Sequence, residues 1–137
     1  CGNSNTVFVR RSVVSAGLKF REELGVGASS PFQSGEETAF LLDAMARGSR
    51  GRYFRDLVVY HDQVGETDVS RARKYARGFG RLLALYQYPR PYVAICLMRP
   101  ALRAMLSVVS LKLKPARYKS HWALGVYEGY TGNIMGR

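Results

Sequence analysis

The stretch SGEETAF, residues 34–40, sets two carboxylates, Glu36 and Glu37, side by side at the head of an apolar run. Two readings fit them. Ser34 followed three residues later by Glu37 has the Ser-x-x-Glu form of a capping box, whose side chains satisfy backbone donors left unpaired in the first helical turn. Negative charge also suits a helix N-terminus through its dipole. Adjacent acids equally suit general acid–base catalysis, in which a carboxylate takes a proton from a reacting hydroxyl. The two roles are compatible, with Ser34 capping while Glu37 faces a cleft. Two further places carry residues of chemical interest. Gly2, Asn3, Ser4 and Asn5 form a turn that reads either as ordinary chain reversal or as a loop whose glycine lets the backbone approach a ligand closely. His61 ends an apolar run, where a histidine either bonds locally or serves as a ligand. Asp43 and Asp62 are expected to be solvated surface acids.

The elements that must position these residues follow from composition and pattern. TVFVR, 6–10, and RYFRDLVVYH, 52–61, are rich in β-branched and aromatic residues and predict strands, the second buried on both faces. LGVGASSPFQSG, 24–35, has loop composition and the length of a functional loop. EETAFLLDAMARG predicts a helix with Phe40, Leu41, Ala44 and Met45 on one face and Gly48 as its stop. Strand, loop, helix and strand make an α/β pattern.

The chain then changes character. Residues 1–69 carry 8 Lys and Arg against 9 Asp and Glu, a balance of −1, whereas residues 70–137 carry 13 against Glu128 alone, a balance of +12. Such a half faces an anionic partner: lipid headgroups, nucleic acid or a phosphorylated ligand. Asp68 can cap a helix that contains Arg71, Arg73, Lys74 and Arg77, with Gly78 and Gly80 weakening its middle by about 1 kcal/mol each relative to Ala. Residues 92–113 are strongly apolar but interrupted by Arg99, Pro100 and Arg103, which predicts a broken pair of helices, packed on the domain or lying in a membrane interface, in place of a continuous span. Pro115 opens a further helix containing Gly125-x-x-x-Gly129, a pattern whose usual meaning is close helix packing. Cys1 and Cys96 make no disulfide framework. No signal peptide opens the chain, which starts on Cys1 inside a turn and reads as cut from something longer.

In their order, CGNSNTVFVRRSVVSAGLKFREELGVG and SGEETAFLLDAMARGSRGRYFRDLVVYH resemble the C-terminal half of a family 2 glycosyltransferase of the GT-A fold. The likeness covers residues 1–69 and continues less specifically through RARKYARGFGRLL, MRPALRAML and WALGVYEGYTG. It implies an α/β, Rossmann-like acceptor-side region over 1–69, followed by a mostly helical basic extension over 70–137 that docks on a membrane surface. It implies a base at Glu37 with Glu36 flanking it, although the family usually has Asp at the position of Glu37. It also implies approach of the Gly2, Asn3, Ser4 and Asn5 loop to a sugar, and His61 as a ligand of a divalent metal, Mn²⁺ or Mg²⁺. The main metal ligands, an Asp-x-Asp motif, are expected upstream, because none occurs in these residues.

The expected function is therefore transfer of a sugar from a nucleotide-sugar donor to a hydroxyl of a saccharide or lipid-linked acceptor. It would proceed with inversion, in polysaccharide, cell-wall or glycolipid synthesis, at the cytoplasmic face of the membrane. This chain alone, without the donor-binding half, is expected to be inactive. Arg71, Arg73, Lys74 and Arg77 are the expected contacts to anionic lipid. The alternative is a non-catalytic basic module for anionic lipid or nucleic acid. Arginines and aromatics are interleaved around Tyr75 and Phe79, but no recognised nucleic-acid motif supports the second partner.

Overall fold

The computed structural model describes residues 7–56, 58, 60 and 68–134. Its elements are five helices: α1 (Arg11–Ser15), α2 (Glu36–Ala46), α3 (Val69–Leu85), α4 (Arg90–Val109) and α5 (Leu113–Thr131). Among the described residues there is no strand. The α/β, Rossmann-like expectation is thereby corrected to an all-helical architecture among the described residues. The physical reason lies in what a strand needs. The β-branched and aromatic residues of 6–10 and 52–61 suit a pleated surface, but a strand persists only where a neighbour takes its backbone hydrogen bonds. No described segment supplies that neighbour, and Phe8, Tyr53, Phe54 and Tyr60 lie exposed.

The chain divides into two compact units. One comprises Cys1–Glu22 and Glu36–Gln63, the other Glu23–Gly35 and Val64–Arg137. The first has a small core in which Leu18, Phe40 and Ala44 are buried, with Val13 against them. Phe20 stacks on Phe40 with ring centroids 4.6 Å apart. Arg21 grips Asp43 with two hydrogen bonds of 3.0 and 3.1 Å, so Asp43 is an ion-pair partner and not a free surface acid. Helix α2 forms where expected. Gly48 ends it in a left-handed conformation, with Gly48 and Ser49 amides closing on the Met45 and Ala44 carbonyls. Its buried face is Ala39, Phe40 and Ala44, while Met45 is exposed.

The second unit holds the larger core: Ala76, Leu83, Val93 and Val126 are buried, with Phe79, Cys96, Trp122 and Tyr130 packed around them. Helix α5 packs on both α3 and α4. Asp68 caps α3 as its sequence predicts, accepting from the Ser70 and Arg71 amides at 3.0 and 3.1 Å. The 92–113 stretch is not a broken pair. Helix α4 runs unbroken through Pro100, one side anchored by buried Val93, Ala104 and Ser107. Proline costs a helix a hydrogen bond and a clash with the preceding turn, and the packing of α4 on α5 holds the helix across that defect. By length and composition α4 is the one described helix able to cross a membrane. Both of the turns around α4 use the same closure. Gln87 and Leu111 adopt φ of 49° and 55°, and the next residues, Tyr88 and Lys112, donate back to the Leu83 and Ser107 carbonyls at 3.0 and 2.8 Å. These are Schellman motifs with a side chain where glycine is usual.

Candidate functional site

Three groups of residues come forward. The first is the head of α2. Glu36 and Glu37 occupy its first two positions, and both are half-buried. The helix starts at Glu36, so Ser34 stands two residues before it. Its hydroxyl donates to the Tyr75 carbonyl at 2.7 Å, which ties the 23–35 loop to α3 within the second unit. The Ser34–Glu37 capping box is therefore out of register by one residue. Glu36 Oε2 is buried and has no hydrogen-bond partner among the described residues. A buried acceptor of this kind costs about 1–3 kcal/mol of desolvation unless something donates to it.

The second group is the contact of α3 with α5, built on glycine. A Cβ on Gly125 would collide with the Arg73 carbonyl, one on Gly129 with the Arg77 carbonyl, and one on Gly80 with the Val126 carbonyl. The glycines that weaken α3 and α5 as isolated helices thus let the two backbones touch, which is the close packing expected of the G-x-x-x-G. That approach carries Glu128 beneath α3. Its side chain is wholly buried and held by Arg73 and by Arg77, the latter at 2.7 Å. Burial pushes the Glu128 carboxyl up, but hydrogen bonds from Arg73 and Arg77 outweigh it and hold the group at about 2, below its ordinary 4.5. The same hydrogen bond raises the Arg73 guanidinium above its usual range. The sequence marked Glu128 as the lone acid of its half. That was the available signal for its pairing, since a lone acid among 13 cations is the natural internal counter-ion.

The third group is the basic face of α3. Of its four candidate anion contacts, Arg73 and Arg77 turn inward to Glu128, while Arg71 and Lys74 are exposed. Arg71 lies over the Tyr75 ring at 5.1 Å and donates to its hydroxyl at 3.2 Å. Arg81, absent from the expected set, bonds Glu23 at 3.1 Å and covers Phe32.

Gly2, Asn3, Ser4, Asn5, His61 and Asp62 lie outside the described residues. Among the described residues no three His, Cys, Asp or Glu side chains gather as a metal would require. No family model, curated protein or solved structure matches the chain.

Proposed function

We propose that the chain is the acceptor-side part of a nucleotide-sugar-dependent glycosyltransferase working at an anionic membrane surface. The observation that supports this most directly is the head of α2, where two adjacent half-buried carboxylates include a buried oxygen, Glu36 Oε2, with no donor among the described residues. The reading takes from the resemblance the chemistry of its acid pair, not its sheet. In it, the attacking acceptor hydroxyl gives its proton to Glu37, while a second hydroxyl of the acceptor donates a hydrogen bond to Glu36. The attacking oxygen bonds to the anomeric carbon, and the bond to the nucleotide diphosphate breaks with its electron pair leaving on the diphosphate. The donor and the main ligands of the divalent metal are assigned to upstream residues, with His61 as the ligand from this chain, and the basic helices to docking at the inner membrane face. Polysaccharide, cell-wall or glycolipid synthesis is the setting such an acceptor implies.

A second reading, a non-catalytic module holding anionic lipid, is favoured by the exposed apolar side of α4, where Ile95, Met98, Leu102, Met105 and Leu106 all face outward. One measurement separates the two. In a chain that carries a donor-binding part together with these residues, Glu37→Gln should lower turnover by about 10² with donor affinity unchanged, and Glu36→Gln should lower it less. Unchanged turnover in Glu37→Gln, with only stability altered, would leave the acids as helix-end residues and favour the module.

A further inference from the structure

We propose that the half-open cavity lined by α3, α4 and α5 binds the phosphate headgroup of an anionic lipid, with the acyl chain lying along the exposed side of α4. The cavity measures about 480 Å³, inside the range of about 300–1,000 Å³ usual for ligand pockets. Its cations are Arg99 and Arg103 from α4 and Lys119 from α5, and its walls include Tyr92, Tyr118 and Trp122. Arg99 and Arg103 stand four residues apart, so they share one side of their helix. Lys119 is held in place by donating to Ser107 Oγ at 2.9 Å, and Ser107 Oγ in turn donates to the Arg103 carbonyl at 2.7 Å. An ammonium has three donors, so two are left for a ligand. Tyr118 and Trp122 stack with centroids 6.5 Å apart and stiffen the α5 wall that also carries Lys119.

Charge accounting makes the cavity a site and not merely a gap. The described acids of this unit are engaged elsewhere: Glu23 with Arg81, Asp68 at the start of α3 and Glu128 with Arg73 and Arg77. Three cations therefore converge on one space with no carboxylate of the described unit left to offset them. A phosphate ester offers several acceptor oxygens and suits the planar fork of arginine. The lipid source is favoured over free phosphate by continuity. Ile95 lines the cavity and is also exposed, at the start of the apolar side that continues through Met98, Leu102 and Met105. A headgroup seated among the cations would place its chain on that side, and the aromatic walls suit the junction of polar and apolar groups.

This extends the membrane-docking part of the reading above and does not depend on sugar transfer. The chain contains one tryptophan, Trp122, and it lines the cavity, so its fluorescence reports occupancy without a label. The full chain would be titrated with dioctanoyl phosphatidate as dispersed monomers, with dioctanoyl phosphatidylcholine and with inorganic phosphate. The expected result is a saturable Trp122 response to phosphatidate, weakened about tenfold or more for phosphatidylcholine and about a hundredfold for inorganic phosphate. The double variant Arg99→Gln, Arg103→Gln should lose about tenfold in phosphatidate affinity with its far-UV circular dichroism unchanged, because both side chains are on the solvent side of α4. Lys119→Gln should lose affinity in the same direction, and Arg117→Gln, an exposed arginine outside the cavity, should not. Equal binding of phosphatidylcholine would reduce the site to apolar contact, and equal binding of inorganic phosphate would reduce it to a free anion site. An equal loss in Arg117→Gln would reduce it to general charge. Each of these outcomes overturns the proposal. Phosphatidate binding that persists while vesicle binding is absent would sink the docking reading and leave the cavity assignment standing.

Discussion

In the unit formed by Cys1–Glu22 and Glu36–Gln63, Glu36 keeps a buried carboxylate oxygen with no donor among the described residues. In the unit formed by Glu23–Gly35 and Val64–Arg137, the Glu128 carboxylate is buried deeper, yet two guanidiniums close around it. Each acid holds at least one oxygen away from water, but among the described residues only Glu128 is given donors there. A satisfied buried polar group rigidifies and specifies a fold, whereas an unsatisfied one is high in energy until a partner arrives. Glu128 is thus a structural acid and Glu36 an open one, although the sequence offers both simply as Glu.

The largest effect is expected at Glu128. Glu128→Ala removes the buried carboxylate that Arg73 and Arg77 share and should destabilise the helical unit by about 3–5 kcal/mol, read as a loss in the thermal or urea midpoint. Acid gives the same answer without mutation. The folded-state carboxyl sits at about 2, below the ordinary 4.5. Its stabilisation is therefore complete above about pH 4.5 and is lost as pH falls toward about 2. A plot of midpoint against pH should steepen in that window for the native chain and flatten there in Glu128→Gln. If the two curves run parallel, the carboxylate is not held by the arginines.

Gly129→Ala should come next, at about 1–3 kcal/mol, because the new methyl meets the Arg77 carbonyl and backbone cannot give way as a side chain can. The same methyl lifts Glu128 away from its partners. The acid sensitivity of Gly129→Ala should therefore move toward that of Glu128→Gln, an outcome that simple overpacking would not produce.

The smallest effect is expected at Glu36. Its charge near a helix N-terminus is worth about 0.3–1 kcal/mol, and the desolvation of an unpartnered oxygen opposes it. Glu36→Gln should thus shift stability by less than about 0.5 kcal/mol, against several for Glu128. A loss of 2 kcal/mol or more in Glu36→Gln would show that Glu36 is a structural acid too, and would remove the contrast on which the catalytic reading of α2 leans.

Helices α2 and α3 were legible in the sequence because their signals are local, whereas α4 was read as a broken pair because Pro100 hides the packing that holds it. Asp68 before a polar run, Gly48 after an apolar one and Pro89 and Pro91 at a junction all act within a few residues. The strands failed for the complementary reason. VFVR and RYF carry the propensity, but pairing is a property of a neighbour and no local pattern supplies one. At the site, the Glu36–Glu37 doublet was visible as a doublet, and its capping register shifted because Ser34 found a long-range acceptor on Tyr75. The inward turn of Arg73 and Arg77 was hidden for a similar reason. Arg71, Arg73, Lys74 and Arg77 read as one basic cluster along the chain, but on a helix only positions facing α5 can reach Glu128, and that is settled by a partner more than fifty residues away.

The turn at Leu111 bears on what the exposed side of α4 is for. A leucine in the left-handed region carries a strain of about 1–2 kcal/mol that glycine would not, and this one leaves 86% of its surface in water. Neither backbone ease nor core burial accounts for it. Beside Val109 and Leu113, both also exposed, it forms an apolar tip at the end of a helix, on a chain with a surplus of cations. Leu111→Gly should accordingly raise the folding midpoint while lowering the salt-resistant part of binding to anionic vesicles. Opposed changes in those two quantities would mark Leu111 as a residue whose conformational strain is tolerated for the sake of contact outside the protein.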